Sequence, residues 1–369
     1  MTVGPGGRIA VAMSGGVDSS TAAALLREQG HEAVGLTLQL WDYTAANLAA
    51  GRGRCCSPAD VADARVVADR LDMPHYVFDH SAAFERHIVA PFVDAYGHGT
   101  TPSPCISCNR LVKFEVLWKL ARGLGAERLA TGHYARIEPP NGNRRPRLRK
   151  ARDADKDQSY FLFDVPAERF ADVLFPLGSM DKEEVRAAAR RLSVPVADKP
   201  ESYELCFIPD GDKDAFVEAR LPVAARRPGP IRHLDGRPLG HHGGLHRFTV
   251  GQRRGLGVSS DEPLYVIELR MDSDTVVVGP RQALSAASLV AARCNWVSID
   301  APKQPLRAAV RIRHRHREVA ACITPLGGDR VAVALDEPQS AVTPGQGVAF
   351  YDSEVLLGGG WIEGGGRER

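Results

Sequence analysis

The stretch Ser103-Pro104-Cys105-Ile106-Ser107-Cys108-Asn109 sets two thiols three residues apart, and a third, Cys206, stands far along the chain between Leu205 and Phe207. Cysteines at this spacing suit a metal site, a redox pair, or a nucleophile with a neighbour. Structural zinc asks for a second such pair or a His pair at finger spacing. The His-rich HHGGLH at 241–246 has no partner cysteine, so zinc is disfavoured. An iron–sulfur cluster on Cys105, Cys108 and Cys206, with one iron open to carry sulfur, stays open as an alternative to thiolate chemistry. A second constellation lies near the start: IAVAM leads into Ser14-Gly15-Gly16-Val17-Asp18-Ser19 and then an apolar run. Two glycines let backbone N–H groups approach an anion, and the helix start adds its positive end. Asp18 would repel a phosphate unless Mg²⁺ stands between them. GxxxxGK[ST] is missing, so this is no Walker loop. A plain strand–helix turn capped by Asp18 is the bland alternative.

These residues need a scaffold, and the hydrophobic pattern supplies one. RIAVAM (8–13), EAVGLTLQLW (32–41), HYVFD (75–79) and ERLATGHYARI (127–137) are predicted strands. Between them, SSTAAALLREQG (19–30), SPADVADARVVADRLDM (57–73, Ser57 as N-cap and Pro58 first), AFERHIVAPFVDAYG and RLVKFEVLWKLARGLG are predicted helices. Such alternation implies a parallel sheet covered on both faces, with ligands at the carboxyl ends of its strands. On this pattern Cys108 lies just before a helix, whose N-terminus, with Arg110 and Lys113, would favour the thiolate. Beyond about residue 205 the chain turns rich in Gly, Pro and His, and short strands follow, among them HRFTVGQRRGLG and PLYVIELR. From about 285 regular short strands read as a small β-barrel. The expected units are 1–205, 206–284 and 285–369.

A net charge of +2 excludes a strongly cationic nucleic-acid binder. Two local runs stand out instead. NRRPRLRKAR (143–152) carries six basic residues and no acid, and AVRIRHRHR (309–317) sets Arg311, Arg313, Arg315 and Arg317 at period two. On a strand those four would share one face, a candidate polyanion footprint. Seven cysteines scattered over 369 residues argue against a disulfide framework. No apolar run reaches the ~18 residues of a membrane span, and the start is too short for a secretory signal, so a cytoplasmic protein is expected. Cys294 and Cys322 read as barrel core; Cys55 and Cys56 have no assigned role.

SGGVDSS resembles the pyrophosphate loop of enzymes that use ATP to adenylate a carbonyl oxygen. Taken with GLTLQLWD (35–42), TPSPCISCNRLVKF (101–114), ATGHYAR (130–136), KDQSYFL (156–162), ELCFIPDGD (204–212), FTVGQRRGLG (248–257), AVTPGQGVAFYD (341–352) and LGGGWI (357–362), it is similar throughout to the tRNA-specific 2-thiouridylases. Those enzymes exchange oxygen for sulfur at position 2 of the wobble uridine. The resemblance implies an α/β fold: an adenine-nucleotide alpha-hydrolase-like domain, a small central domain and a C-terminal β-barrel. It implies ATP and Mg²⁺ as cofactors, tRNA as partner, and a persulfide donor such as a cysteine desulfurase or relay protein. ATP would be bound by Ala12, Met13, Ser14, Gly15, Gly16, Val17, Asp18 and Ser19, with Leu38 and Gly132. Ser103, Pro104 and Cys105 would meet the target base. His133, Lys156, Asp157, Gln158, Arg313, His314 and Gln346 would contact tRNA. Cys108 matches the nucleophile and Cys206 the persulfide carrier, and the two would pass through a transient disulfide. Two departures are notable: Ser103 stands where the family usually has Asn, and His314 where Tyr is common. An ATP-dependent amide- or amidine-forming synthetase is the rival activity, since the same loop serves it; it has no need of paired cysteines.

Overall fold

The computed structural model describes residues 7–41, 57–138, 145–200, 205–208 and 211–366. Cys55 and Cys56 lie outside the described residues.

The chain opens with β1 (Ile9–Ala12), β2 (Ala33–Gln39), β3 (His75–Asp79) and β4 (Arg128–Ala130), then forms a hairpin of β5 (Ala135–Glu138) and β6 (Arg147–Lys150) before β7 (Val173–Leu174). Five of these make one sheet in the order β3-β2-β1-β4-β7, every pair parallel. The apolar runs predicted it: β1 and β2 are buried almost end to end, as strands covered on both faces must be. Helix α1 (Val17–Glu28) leaves the tip of β1, and α2 (Pro58–Arg70) precedes β3. The cap of α2 is as expected. Ser57 Oγ accepts from Asp60 N at 3.1 Å, and the Asp60 carboxylate accepts from Ser57 N at 3.0 Å.

ERLATGHYARI is not one strand but two. It breaks after Ala130, and its second half, β5, joins a different sheet. A second unit is a four-stranded sheet, β10-β11-β8-β9, made of β8 (Gly229–His233), β9 (Pro238–His242), β10 (Tyr265–Arg270) and β11 (Thr275–Gly279). HRFTVGQRRGLG is not a strand: only its first two residues, His246 and Arg247, are regular, as the end of a short 3-10 turn Leu245–Arg247.

The last six strands are β12 (Ser285–Trp296), β13 (Leu306–Arg311), β14 (Val319–Gly327), β15 (Arg330–Ser340), β16 (Gly347–Asp352) and β17 (Val355–Gly366). Their order is β12-β15-β14-β13-β16-β17, and antiparallel β12–β17 pairing closes the ring into a six-stranded barrel. The β5–β6 hairpin attaches to β17, so the barrel draws an edge from the first half of the chain. One apolar cluster runs through all of this: Phe84, Phe92 and Phe163 from the first unit, Phe216 and Leu221 beyond it, and Tyr351 and Trp361 of the barrel.

The expected single-faced arginine strand is corrected. β13 ends at Arg311, and residues 312–317 form a turn. Arg311 points inward, bonded to Asp157 Oδ2 at 3.1 Å and to Glu318 Oε1 at 2.7 Å. The other basic run is also internally paired. Arg145 meets Asp300, Arg147 and Arg149 meet Glu138, Lys150 meets Glu318, and Arg152 meets Asp181 and Glu184. Those cations brace the hairpin against its neighbours instead of presenting a bare footprint.

Candidate active site

The loop between β1 and α1 is shaped from behind. Ser19 Oγ accepts from Ser14 N at 3.1 Å and lies 3.2 Å from Ser14 Oγ, drawing the turn closed. Gly15 has φ +69°, and a Cβ there would collide with the Asp60 carbonyl. No other residue fits. Lys199 Nζ reaches this junction from far along the chain. It donates to Gly15 O at 3.0 Å and to Asp60 Oδ1 and Asp63 Oδ2, both at 2.6 Å. Asp18 is not the cap of α1. Gly16 takes that place, and Asp18 sits in the first turn. Its Oδ1 accepts from Tyr134 Oη at 2.8 Å and from Lys182 Nζ at 2.6 Å. Ala12 and Met13 lead into this turn, Val17 is buried under it, and Leu38 lies in the core at 5% exposure on the adjacent strand.

The thiols sit on a helical stretch that starts earlier than expected. Ser103 is the N-cap and Pro104 the first residue, so Cys105 occupies the first turn, exposed, and Cys108 lies one turn on at 8% exposure. The N-terminal helix field expected at Cys108 therefore falls on Cys105, and Arg110 is turned to Asp164, 3.2 Å from both carboxylate oxygens. Burial raises the Asp164 carboxyl above its ordinary value, with Arg110 opposing. Cys206 is half-buried and packs against the apolar cluster that contains Cys108. Cys294 is a barrel residue whose thiol burial pushes up to about 12, which makes it inert.

Loop and thiols are joined by Thr131-Gly132-His133, the break in the split strand. A Cβ on Gly132 would lie 2.7 Å from Ser19 N, so only glycine allows this approach to the loop. The next residue turns the other way. His133 Nε2 lies 3.2 Å from Asn109 Oδ1, and Nδ1 lies 2.7 Å from Thr131 Oγ1. Asn109 Nδ2 donates to Phe161 O at 3.0 Å, which leaves its Oδ1 to accept; His133 is thus the Nε2–H tautomer, with Thr131 donating to Nδ1. Burial holds its pKa well below the ordinary histidine value, Lys113 adding to the effect.

Among the described residues no three His, Cys, Asp or Glu side chains group as a metal site. A single carboxylate, Asp18, does suit Mg²⁺, which is held by one or two carboxylates together with substrate phosphates.

Three family descriptions match consecutive stretches: a tRNA methyl transferase HUP domain over 7–210, a tRNA methyl transferase PRC-barrel domain over 214–280, and an aminomethyltransferase beta-barrel domain over 286–362. The tRNA-specific 2-thiouridylase MnmA of Geotalea uraniireducens is 47% identical over 96% of this chain and 95% of its own length. That of Geobacter metallireducens is 48% identical over 96% of both. The Koribacter versatilis enzyme of the same name is 48% identical over 96% of this chain and 98% of its own. The chain belongs to the tRNA-specific 2-thiouridylase family. A solved 4-thiouridine synthetase–RNA complex with bound ATP is far more distant, at 18% identity and TM-score 0.39 over 57% of this chain and 48% of that one, too loose to argue from.

Against the family pattern, the expected tRNA-contacting residues divide. His133 and Asp157 are buried, 8% and 3% exposed. Asp157 accepts from Ala151 N, Ser159 N and Oγ, and Arg311. Gln158 Oε1 accepts from Tyr134 N at 3.0 Å, and Lys156 is half-buried beside it. Gln346 spans from the barrel to the thiol segment: its Nε2 donates to Thr101 O at 3.0 Å and its Oε1 accepts from Ser103 Oγ at 3.2 Å. Arg313 is exposed, and His314 rests on the Phe161 ring with centroids 4.4 Å apart. Sequence reasoning missed Asn109, Tyr134, Lys182 and Lys199. Lys182, directly after the capping Asp181 of helix Lys182–Arg191, had a weak signal in its place at a helix start; the others act across the chain and had none.

Proposed function

We propose that this chain is a tRNA 2-thiouridylase that adenylates O2 of the wobble uridine with ATP and then replaces that oxygen by sulfur. The carrying observation is the Thr131–His133 break, where Gly132 abuts the phosphate-type loop at Ser19 and His133 braces the turn of Cys108 through Asn109. Nucleotide chemistry and thiol chemistry share one site.

The uridine O2 attacks the α-phosphorus, pyrophosphate leaves and the N3 proton is lost. The Ser14–Ser19 turn offers N–H and hydroxyl donors to the departing group, and Mg²⁺ bound beside Asp18 would neutralise its charge. The terminal sulfur of a Cys206 persulfide then bonds to C2, and AMP departs with the former uridine oxygen. The Cys108 thiolate attacks Sγ of Cys206. That S–S bond breaks, the thiocarbonyl leaves with the electron pair and N3 regains its proton. A Cys108–Cys206 disulfide remains, reset by an external dithiol. Ser103, Pro104 and the exposed Cys105 line the approach of the base. Mass analysis of wobble nucleosides from cells lacking the protein tests the assignment: 2-thiouridine should vanish and return with the wild-type gene. Unchanged 2-thiouridine would overturn it.

A further inference from the structure

The described cations of 145–152 are taken up by carboxylates, as are Arg311 and Arg317 of the second run, so Arg313 and Arg315 need further cations beside them to hold RNA. Arg253 and Arg254 of the central unit, in Gln252-Arg253-Arg254-Gly255-Leu256-Gly257, are both exposed. Among the described residues neither guanidinium forms an ion pair, whereas every described cation of 145–152 does. Glu262 lines the same shallow cleft of about 230 Å³ as Arg253 yet stays outside ion-pair distance.

The turn that carries them is held in shape. Gln252 Oε1 accepts from Thr249 N at 3.0 Å, Gln252 Nε2 donates to Arg254 O at 3.0 Å, and Gly251 N donates to Val266 O at 2.8 Å. Its root is pressed on the barrel: a Cβ at Gly251 would lie 2.8 Å from that of Ala341, and Val250 packs in one apolar cluster with Ala341. The neighbouring Ser340 carbonyl accepts from Arg313 at 3.2 Å. Arg313, followed two residues on by the exposed Arg315, which has no ion pair among the described residues, therefore approaches one corner from the barrel side, and the turn of Arg253 and Arg254 from the central unit. From that corner the segment runs six residues to Gln346, at most about 20 Å. There Pro344 O accepts from Thr101 N at 3.1 Å and Gln346 holds Ser103, directly before the thiol turn.

We propose that the Gln252–Gly257 turn is a phosphate-contacting element for the RNA substrate, acting with the Arg313–Arg315 turn across the Ser340–Ala341 corner. A rigid turn loses little entropy on binding, and unpaired guanidiniums give up no ion pair in doing so. Release of counterions from the RNA then favours the contact in a salt-dependent way. The proposal rests on the RNA-acting reading above.

The test is the salt dependence of tRNA binding to the full-length protein, for wild type, Arg253→Ala/Arg254→Ala, and Arg147→Ala/Arg149→Ala, with thermal melting of each. Each lost phosphate contact removes about 0.7–0.9 from the log–log slope. The first variant should flatten the slope by about 1.5 and weaken binding several-fold with its melting temperature unchanged. The second should keep the slope and melt lower. Wild-type binding with an undiminished slope in Arg253→Ala/Arg254→Ala overturns the proposal alone. Absence of tRNA binding by wild type overturns the RNA-acting reading itself.

Discussion

At the scale of single residues, the division of labour among the thiols follows from where the helix starts. Cys108 is buried one turn inside the helical stretch, and Cys105 is exposed at its beginning. The persulfide cycle needs Cys108 and Cys206 only. Cys108→Ser and Cys206→Ser should each abolish 2-thiouridine formation, while Cys105→Ala should retain substantial turnover in a single-turnover assay. A dead Cys105→Ala enzyme with stoichiometric iron in anaerobically purified wild type would instead establish cluster chemistry. Asn109 and His133 are positioning residues. Asn109→Ala should lower kcat by about tenfold or more through a misplaced thiol while the Kd for tRNA stays put; a raised Kd with intact kcat would assign them to the RNA surface. The turn at Ser14–Ser19 was legible from its glycines at a strand–helix junction, whereas Cys206 between Leu205 and Phe207 carries no local mark of chemistry and took its role from the resemblance alone. Asn109 and His133 were not legible as a pair, because 24 residues separate them and only the break after β4 brings them together.

At the scale of elements, the phosphate-type loop is held by parts that no local pattern announces. The glycines predicted a close-approach turn, and the β1–loop–α1 order followed. That Lys199 would donate to Gly15 O while bridging Asp60 and Asp63 could not be read, since it stands 184 positions beyond Gly15 in the chain. Removing its ammonium leaves two facing carboxylates and a loosened loop. Lys199→Met should therefore raise KM for ATP and cut pyrophosphate release by about 10²-fold or more, with Lys199→Arg recovering part of it. An unaltered KM would confine Lys199 to stability. The arginine run at 309–317 failed as a strand for a physical reason: Arg311 finds two inward carboxylates, and β13 stops there.

At the scale of the whole molecule, one core ties the parallel-sheet unit to the barrel, and pH acts on it through buried imidazoles. His133, and to a lesser degree His75, His242, His246, His314 and His316, are held below the ordinary histidine pKa by burial. The neutral form is favoured in the fold, so the unfolded chain binds more protons below about pH 6.5. Stability is full above that value and is lost as pH falls toward the lowered folded values. His133→Gln keeps an N–H for Asn109 and cannot be protonated, so its melting temperature should fall less between pH 7 and pH 5 than that of wild type. Equal falls would mean that His133 does not titrate in this way. Packing between units is equally specific: Phe163 sits where a Cβ on Gly347 or Gly359 would touch it. Phe163→Ala should cost about 3–5 kcal/mol, read by denaturant unfolding, and a cost below 1 kcal/mol would show the barrel docked loosely. Barrel and parallel sheet were legible from strand spacing; the β5–β6 hairpin's transfer to the barrel edge was not, because nothing in ARIE or RLRK names its partner.

The joining of nucleotide and thiol chemistry in one site is tested most directly by following the uridine oxygen. With tRNA carrying ¹⁸O at position 2 of the wobble uridine, ATP, Mg²⁺ and a persulfide donor, the account predicts one ¹⁸O in the AMP phosphate for each 2-thiouridine formed. Thiolated tRNA accompanied by unlabelled AMP, or by ADP, would contradict it.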